Sequence, residues 1–391
     1  MLQSIELTNF KSIKKQRFPL RKLNLLLGLN GTGKSSFIQS LLLLRQSDII
    51  DNHGILRLNG DYVHIGTTKD VRYQYSQKDE QISIIFQFHN SNPLIMECNY
   101  EFESDILKYK LSDLSFLGVK DLLSTNSIPI LKEQVALFGA DFQYLNANRI
   151  PPQSIHKKSV SNVKIRNIGN YGEYTAHYIE TFYNDEIYFE NLIHRDSISK
   201  DEVLDKEITN KTLINQINLW MGEISPGVNV RTTSVSSDEV LLEYVYKQPN
   251  FVNTNRFKPE NVGFGISYAL HVVTALLASR PGELIIIESP ESHIHPRGQA
   301  ELGKLIALTA QNDVQLIIET HSDHIINGVR VAIKENPQLK NDAMLFYFDK
   351  MVTETEQYAK ITDIEIDENG TLSDYPENLL DEWSNQLSQL I

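Results

Sequence analysis

The first thirty residues alternate apolar and polar positions with the period of a strand. Leu2, Ile5 and Leu7 mark one run, Phe18 and Leu20 a second, and Leu23 to Leu27 a third that looks buried along most of its length. Side chains of a strand point to opposite faces in turn. The first two runs therefore predict half-buried strands, and the third a strand covered on both faces. A glycine-rich stretch follows, Gly28-Leu29-Asn30-Gly31-Thr32-Gly33-Lys34-Ser35-Ser36, and then an apolar helix over Phe37 to Arg45. Residues 55 to 119 hold short β-branched and aromatic runs, such as Ile82 to Phe88 and Ile95 to Phe102, broken by Asn, Asp, Ser and Pro. That punctuation predicts antiparallel strands. Over 170 to 222 the period changes, with Tyr174, His177, Tyr178 and Phe182 at helical spacing. Strands return over Val230 to Tyr246. The last third reads as helix Ile266 to Ala278, strand Leu284 to Ile287, helix Gly298 to Thr309 and strand Val314 to Ile318. Alternating β and α in this way predicts a parallel sheet flanked by helices.

The pattern predicts an α/β fold whose core is assembled from residues 1–50 and 260–391, the second segment carrying a C-terminal tail. Residues 51–259 form an inserted α+β lobe: strand-rich over 55–150, helical over 170–222, strands again over 228–247. With 391 residues, 41% hydrophobic and 22% charged, the composition is that of an ordinary globular chain. The longest apolar run, Phe37 to Leu44, is broken by Gln39 and Ser40 and falls short of the ~20 residues of a membrane span. Met1 opens directly into a strand pattern with no charged and then apolar leader. A cytoplasmic protein with no membrane partner is expected. The single cysteine, Cys98, excludes an internal disulfide framework and a multi-cysteine zinc site. A net charge of −13 argues against a uniformly basic nucleic-acid surface. Lys11, Lys14, Lys15, Arg17, Arg21 and Lys22 still form a local basic strip, read first as a solvated edge.

Four stretches carry chemistry. Gly28 to Ser35 matches G-x-x-x-x-G-K-[ST] between a strand and a helix. Glycines let the backbone close around phosphates, and the helix N-terminus points its N–H groups at the anion. Lys34 adds a cation at the outer phosphates, and the Ser35 hydroxyl suits a magnesium ion. The second stretch is an apolar strand, Leu284 to Ile287, ending in a carboxylate at Glu288 and running on through Ser289-Pro290-Glu291-Ser292-His293-Ile294-His295-Pro296. A carboxylate at a strand tip can hold metal-bound water beside phosphates. The third delivers His321 to the end of a strand in Leu316-Ile317-Ile318-Glu319-Thr320-His321-Ser322-Asp323-His324, where an imidazole can sense a terminal phosphate. The fourth, Asn261-Val262-Gly263-Phe264-Gly265-Ile266-Ser267, opens a helix with small residues, a second surface of exposed N–H groups.

In this order the motifs resemble the ABC-type ATPase heads of the RecF, SMC and OLD-like class. The resemblance implies a P-loop head of mixed sheet with flanking helices, using ATP and Mg2+. Asn9-Phe10-Lys11-Ser12 is similar to the opening strand that borders the adenine, which assigns Asn9, Phe10 and Lys11 to the nucleotide. Asn30, Gly31, Thr32, Gly33, Lys34, Ser35 and Ser36 belong to Walker A. Gly263, Gly265 and Ser267 sit where the signature motif contacts the nucleotide of an opposite subunit. Glu288 holds the Walker B acidic position and with Ser35 is assigned to the metal. Glu291 to Pro296 resembles the D-loop, and His321 the switch histidine. Tyr144-Leu145-Asn146-Ala147-Asn148-Arg149 and the tail Asp374 to Glu382 are closer to a prokaryotic subgroup with a C-terminal domain of unknown function. That subgroup is similar to the ATPase of Septu-type anti-phage systems. It implies a homodimer or higher even oligomer working with a separately encoded nuclease, with DNA or RNA as a further partner.

Two residues depart from the class. Ser289 stands where a catalytic Glu is usual, and a serine hydroxyl is far too weak a base to polarise water. Either Glu291 substitutes or hydrolysis is slow. Gly263 stands where the signature begins with Ser. The catalytic candidates are thus Glu288, Ser289, Glu291 and His321. One cysteine excludes a zinc hook, and about 70 residues after His321 leave little room for an intrinsic nuclease. Glu291, His293, His295, His321 and His324 also suit zinc or manganese, but the motif context favours loop and switch roles. The expected function is an ATPase that dimerises around nucleotide and regulates a nuclease or nucleic-acid complex. A RecF/SMC-like repair or recombination ATPase and a nucleotide-gated scaffold with negligible hydrolysis are the alternatives.

Overall fold

The computed structural model describes residues 1–47, 54–77, 79–89, 93–101, 103–112, 135–201, 206–247 and 255–390. The chain divides into two units. One comprises Met1–Phe142, Ala343–Glu365 and Leu372–Ile391, and the other Gln143–Asp342 with Ile366–Thr371. This division falls at Phe142, inside the segment 51–259 rather than at its ends.

The first unit opens with β1 (Leu2–Phe10), β2 (Ile13–Pro19), β3 (Leu23–Gly28) and α1 (Lys34–Ser47). It continues through β4 (Ile55–Arg57), β5 (Ile82–Phe88), β6 (Leu94–Asn99) and β7 (Ile106–Ser112). An antiparallel sheet runs in the order β2-β1-β5-β6-β7-β4. Strand β5 buries every second residue, as its alternation requires. The expected strand ending at Phe102 stops at Asn99, and part of the expected strand-rich region, 113–134, lies outside the described residues.

The second unit contains β8 (Phe142–Leu145), whose last three residues belong to it, β9 (Ile155–Lys157) and α2 (Thr175–Thr181). Next come β10 (Ile198–Asp201), β11 (Lys206–Thr209), α3 (Leu213–Ile224), β12 (Val228–Ser234) and β13 (Glu239–Tyr246). It closes with α4 (Phe264–Ala278), β14 (Leu284–Glu288), α5 (Pro296–Ala310), β15 (Gln315–Glu319) and α6 (Asp323–Glu335). Strands β14 and β15 are parallel, from Leu284 beside Gln315 to Glu288 beside Glu319. Their apolar runs, four residues in β14 and three in β15, are buried on both faces, which is why neither alternates. The stretch 170–222 is not helical throughout. The hairpin β10–β11 interrupts it, built from strands of four residues that are too short to register as a period of two.

The chain then returns to the first unit with β16 (Ala343–Val352), β17 (Gln357–Ile364) and α7 (Glu382–Ser388). Strand β16 pairs in parallel with β3, from Ala343 beside Leu23 to Phe348 beside Gly28, and antiparallel with β17. Behind this pair the ring of Phe18 lies 4.4 Å from Phe37, 5.5 Å from Phe346 and 5.9 Å from Phe348, all four fully buried. The cluster ties β2, α1 and β16 together behind the glycine-rich loop. Truncating a buried Phe removes its burial and leaves a cavity. Phe18→Ala should therefore lose about 3–5 kcal/mol of unfolding free energy. Urea denaturation checks this, and a loss below 1 kcal/mol would mean the cluster does not hold the unit.

Candidate functional site: a phosphate loop and a carboxylate-bearing strand end

Strand β3 ends at Gly28 and α1 begins at Lys34, so the loop between them crosses from a strand end to a helix N-terminus. Gly28 has φ 125° and Gly33 φ 115°, values that side chains with a β-carbon rarely adopt. Space excludes a β-carbon as well. At Gly28 it would lie 2.1 Å from the Phe348 carbonyl oxygen, and at Gly33 2.7 Å from the Ser12 Oγ. Lys34 is buried, and its Nζ donates to the carbonyl oxygens of Gly28 and Leu29, each at 2.8 Å. Thr32 Oγ1 closes the loop by donating to Leu29 O at 2.8 Å. Asn30 and Gly31 are exposed at its crest, as is Ser35 on the first turn of α1. Ser36 is buried, with its Oγ 3.2 Å from that of Ser12.

This loop fits a polyphosphate. The first N–H groups of α1 have no partner within the helix, the bends leave no room for side chains, and an ammonium is already drawn over the loop. The Asn9–Ser12 turn is placed differently from expectation. Phe10 is fully buried and Asn9 donates its amide to Gln81 O at 3.1 Å, so both side chains point inward. Lys11 donates to Gln39 Oε1 of α1 at 2.7 Å. Ser12, not assigned a role from sequence, is the residue of this turn that packs on the loop.

In the second unit Glu288 ends β14, and its carboxylate is held from one side. Tyr144 OH donates to Oε1 at 3.1 Å, the Ala147 amide faces Oε2 at 3.4 Å, and Asn146 Nδ2 donates to the Tyr144 hydroxyl at 2.9 Å. Arg149 is buried and donates to the carbonyl oxygens of Glu288, at 2.7 Å, and Ser289, at 3.1 and 3.2 Å. Burial brings its guanidinium down to about 10. Ser289 turns the chain with φ 44°, and its amide donates to Glu319 O at 2.8 Å. Glu291 reaches the end of β15, accepting from Thr320 Oγ1 at 2.8 Å and from the His321 amide at 2.9 Å. The His321 ring is partly exposed, with Nε2 4.0 Å from Glu319 Oε1. Tyr144 and Arg149 were visible only as members of a motif without a role. Their function here lies in contacts to residues about 140 positions away. Among the described residues no group of three or more His, Cys, Asp and Glu side chains is arranged to hold a metal ion.

Gly263 caps α4 and is exposed, whereas Gly265 and Ser267 are buried. A β-carbon on Gly265 would lie 2.2 Å from the His293 carbonyl oxygen, and Ser267 Oγ is 3.4 Å from Tyr244 OH. These two residues serve packing within the unit. The first turn of α4 offers Gly263 and Phe264 to the exterior.

A family model described as "AAA domain, putative AbiEii toxin, Type IV TA system" matches residues 23–327, from β3 through the His321 strand end and into α6. The chain belongs to this AAA-domain family. A second model, a protein family of unknown function called DUF3696, matches residues 340–390 of the AAA-domain chain. In fold this AAA-domain protein is similar to an SMC head bound to the C-winged helix domain of ScpA. The TM-score is 0.52 at 13% identity, over 93% of this chain and 97% of that one. An SMC head from Thermotoga maritima has a TM-score of 0.42 at 11% identity, over 92% of this chain and 98% of that one. An SMC head with an extended coiled coil, bound to a ScpA domain derived from Pyrococcus furiosus, has 0.49 at 14% identity, over 100% and 99%. No curated protein matches. The fold is the P-loop head of SMC-type ATPases, as the motifs implied. Among the described residues no helix is long and apolar enough to cross a membrane.

Burial pushes the Glu288 carboxyl above its ordinary range, against the Tyr144 hydroxyl, the Ala147 amide and the charge of Arg149. A group whose folded value is raised binds its proton more tightly in the folded state. The stability this contributes is present below the unfolded value and lost as pH rises through the folded one. Glu288→Gln should therefore melt above the wild type at pH 7, with the two converging below about pH 4. A variant melting below the wild type at pH 7 would contradict this.

Proposed function

We propose that this protein binds ATP with magnesium at Gly28 to Ser36 and hydrolyses it slowly. The observation that carries the reading is the loop itself: two bends at Gly28 and Gly33 that exclude a β-carbon, and a buried Lys34 ammonium held over the carbonyls of Gly28 and Leu29. When bound, magnesium supplies charge neutralisation at the outer phosphates. Ser35 is the residue at the loop suited to ligate it, and Glu288 is its Walker B counterpart by resemblance. The family membership supports nucleotide use, and the resemblance to ABC-type heads assigns a sensing role to His321. Ser289 in place of a carboxylate supports slow turnover, because a serine hydroxyl does not accept a proton near neutral pH. The same residue favours a second reading, in which bound ATP holds an assembly in one state and hydrolysis is incidental.

The chain works as a homodimer in this proposal, with Gly263 at the start of α4 offered to the nucleotide of a second copy. Its partner is a separately encoded nuclease or a nucleic-acid complex, in anti-phage defence. These last assignments rest on the similarity of the Tyr144 to Arg149 motif and the C-terminal tail to Septu-type ATPases. A repair or recombination ATPase is the alternative setting.

Lys34→Ala should weaken Mg-ATP binding by roughly ten- to a hundredfold, the value of a hydrogen bond to a charged group. Calorimetry checks this, and unchanged affinity would overturn the nucleotide assignment. For assembly, Gly263→Asp is the informative variant, since nothing lies within 4 Å of a β-carbon built there and the fold should tolerate it. It should remain folded yet lose an ATP-dependent dimer in light scattering. A dimer as strong as the wild type's would remove Gly263 from the nucleotide interface.

A further inference from the structure

Glu291 is the one carboxylate near Ser289 in sequence that is available to replace the missing base, yet the geometry gives it other work. One of its oxygens accepts from the Thr320 hydroxyl at 2.8 Å, and the other from the His321 backbone amide at 2.9 Å. The same hydroxyl accepts from the Ser322 amide at 3.1 Å. Ser322 in turn caps α6, its Oγ accepting from His324 N at 3.1 Å and Ile325 N at 3.2 Å. Thr320 is fully buried. The carboxylate is anchored at its other end by a tight turn. Ser292 N donates to Ser289 O at 3.2 Å and Ile294 N to Glu291 O at 3.0 Å, while Arg149 clamps the Ser289 carbonyl. Both oxygens are thus engaged by one backbone turn, which places a partly exposed imidazole at the end of β15.

We infer that Glu291 is a positioning residue that fixes the His321 turn through a two-point hydrogen-bonded clasp, and is not the general base. The inference rests on the ATPase reading for the meaning of His321, but the clasp can be tested without it. A glutamine retains an acceptor oxygen for the His321 amide and turns an N–H toward the Thr320 hydroxyl, which then accepts instead of donating, yet it cannot take a proton from water. An alanine supplies neither. The two substitutions therefore separate positioning from base catalysis.

The experiment measures single-turnover phosphate release by full-length Glu291→Gln, Glu291→Ala, His321→Ala and the Glu291→Ala/His321→Ala double variant. Hydrogen exchange over residues 319–323 is followed in each. Positioning predicts Glu291→Gln within about threefold of the wild type and Glu291→Ala close to His321→Ala. It also predicts a double variant no slower than His321→Ala, because residues acting as one unit are not additive. Exchange at 319–323 should rise in Glu291→Ala and stay near wild type in Glu291→Gln. A loss of about a hundredfold or more in Glu291→Gln with unchanged exchange is the signature of a general base and would overturn the inference. Unchanged exchange in Glu291→Ala would overturn it independently of any turnover. If the wild type releases no phosphate and Lys34→Ala binds ATP normally, the ATPase reading fails, and the exchange arm still decides the clasp.

Discussion

A β-carbon on Gly28 would fall 2.1 Å from the carbonyl oxygen of Phe348, and much of the first unit follows from that contact. Strands β3 and β16 pair in parallel as far as Phe348 beside Gly28, so the chain must leave the sheet at its last paired residue with no side chain in the way. It does so at φ 125°, which turns the loop back over the strand end. The Lys34 ammonium then reaches the carbonyls of Gly28 and Leu29, and α1 starts where its N–H groups face the loop. One turn later Phe37 enters the aromatic cluster with Phe18, Phe346 and Phe348. A tight backbone and a rigid core behind it are two aspects of one arrangement.

The second unit orders its strand ends by a different means. There the parallel pair β14–β15 delivers Glu288 and Glu319 side by side, and polar contacts set the turns that follow. Arg149 holds the carbonyls of Glu288 and Ser289, Tyr144 holds the Glu288 carboxylate, and Glu291 reaches across to Thr320 and His321. A buried guanidinium with carbonyl partners is an expensive way to fix a turn, since desolvating the charge must be offset by well-formed bonds. Such an arrangement suits a site in which the direction of a carboxylate matters more than stability.

How much of this was legible in the sequence depended on where each constraint comes from. The glycine-rich loop was readable because its pattern fixes residue types at fixed spacing within eight consecutive positions. Strands β5 and β14 were readable from alternation and from an unbroken apolar run. The hairpin β10–β11 was not, because four-residue strands leave too few repeats to outvote the helical spacing around them. The role of Arg149 was not legible either, since its partners lie about 140 positions along the chain. Gly265 illustrates a further limit. A glycine required by a phosphate and one required by a neighbouring carbonyl look the same in sequence, and the closeness of Gly265 to the His293 carbonyl comes only from the fold.

The loop between β3 and α1 is proposed to be a nucleotide phosphate site. Its most direct test is backbone hydrogen exchange over residues 29–37 of the full chain, with magnesium alone and with magnesium plus ATP. If phosphates occupy the bend, the amides from Gly31 to Ser36 gain acceptors, and exchange of that segment should slow at least tenfold while β5 to β7 remain unchanged. Identical exchange in the two conditions, at ATP concentrations up to the millimolar range, would mean that no nucleotide binds at this loop.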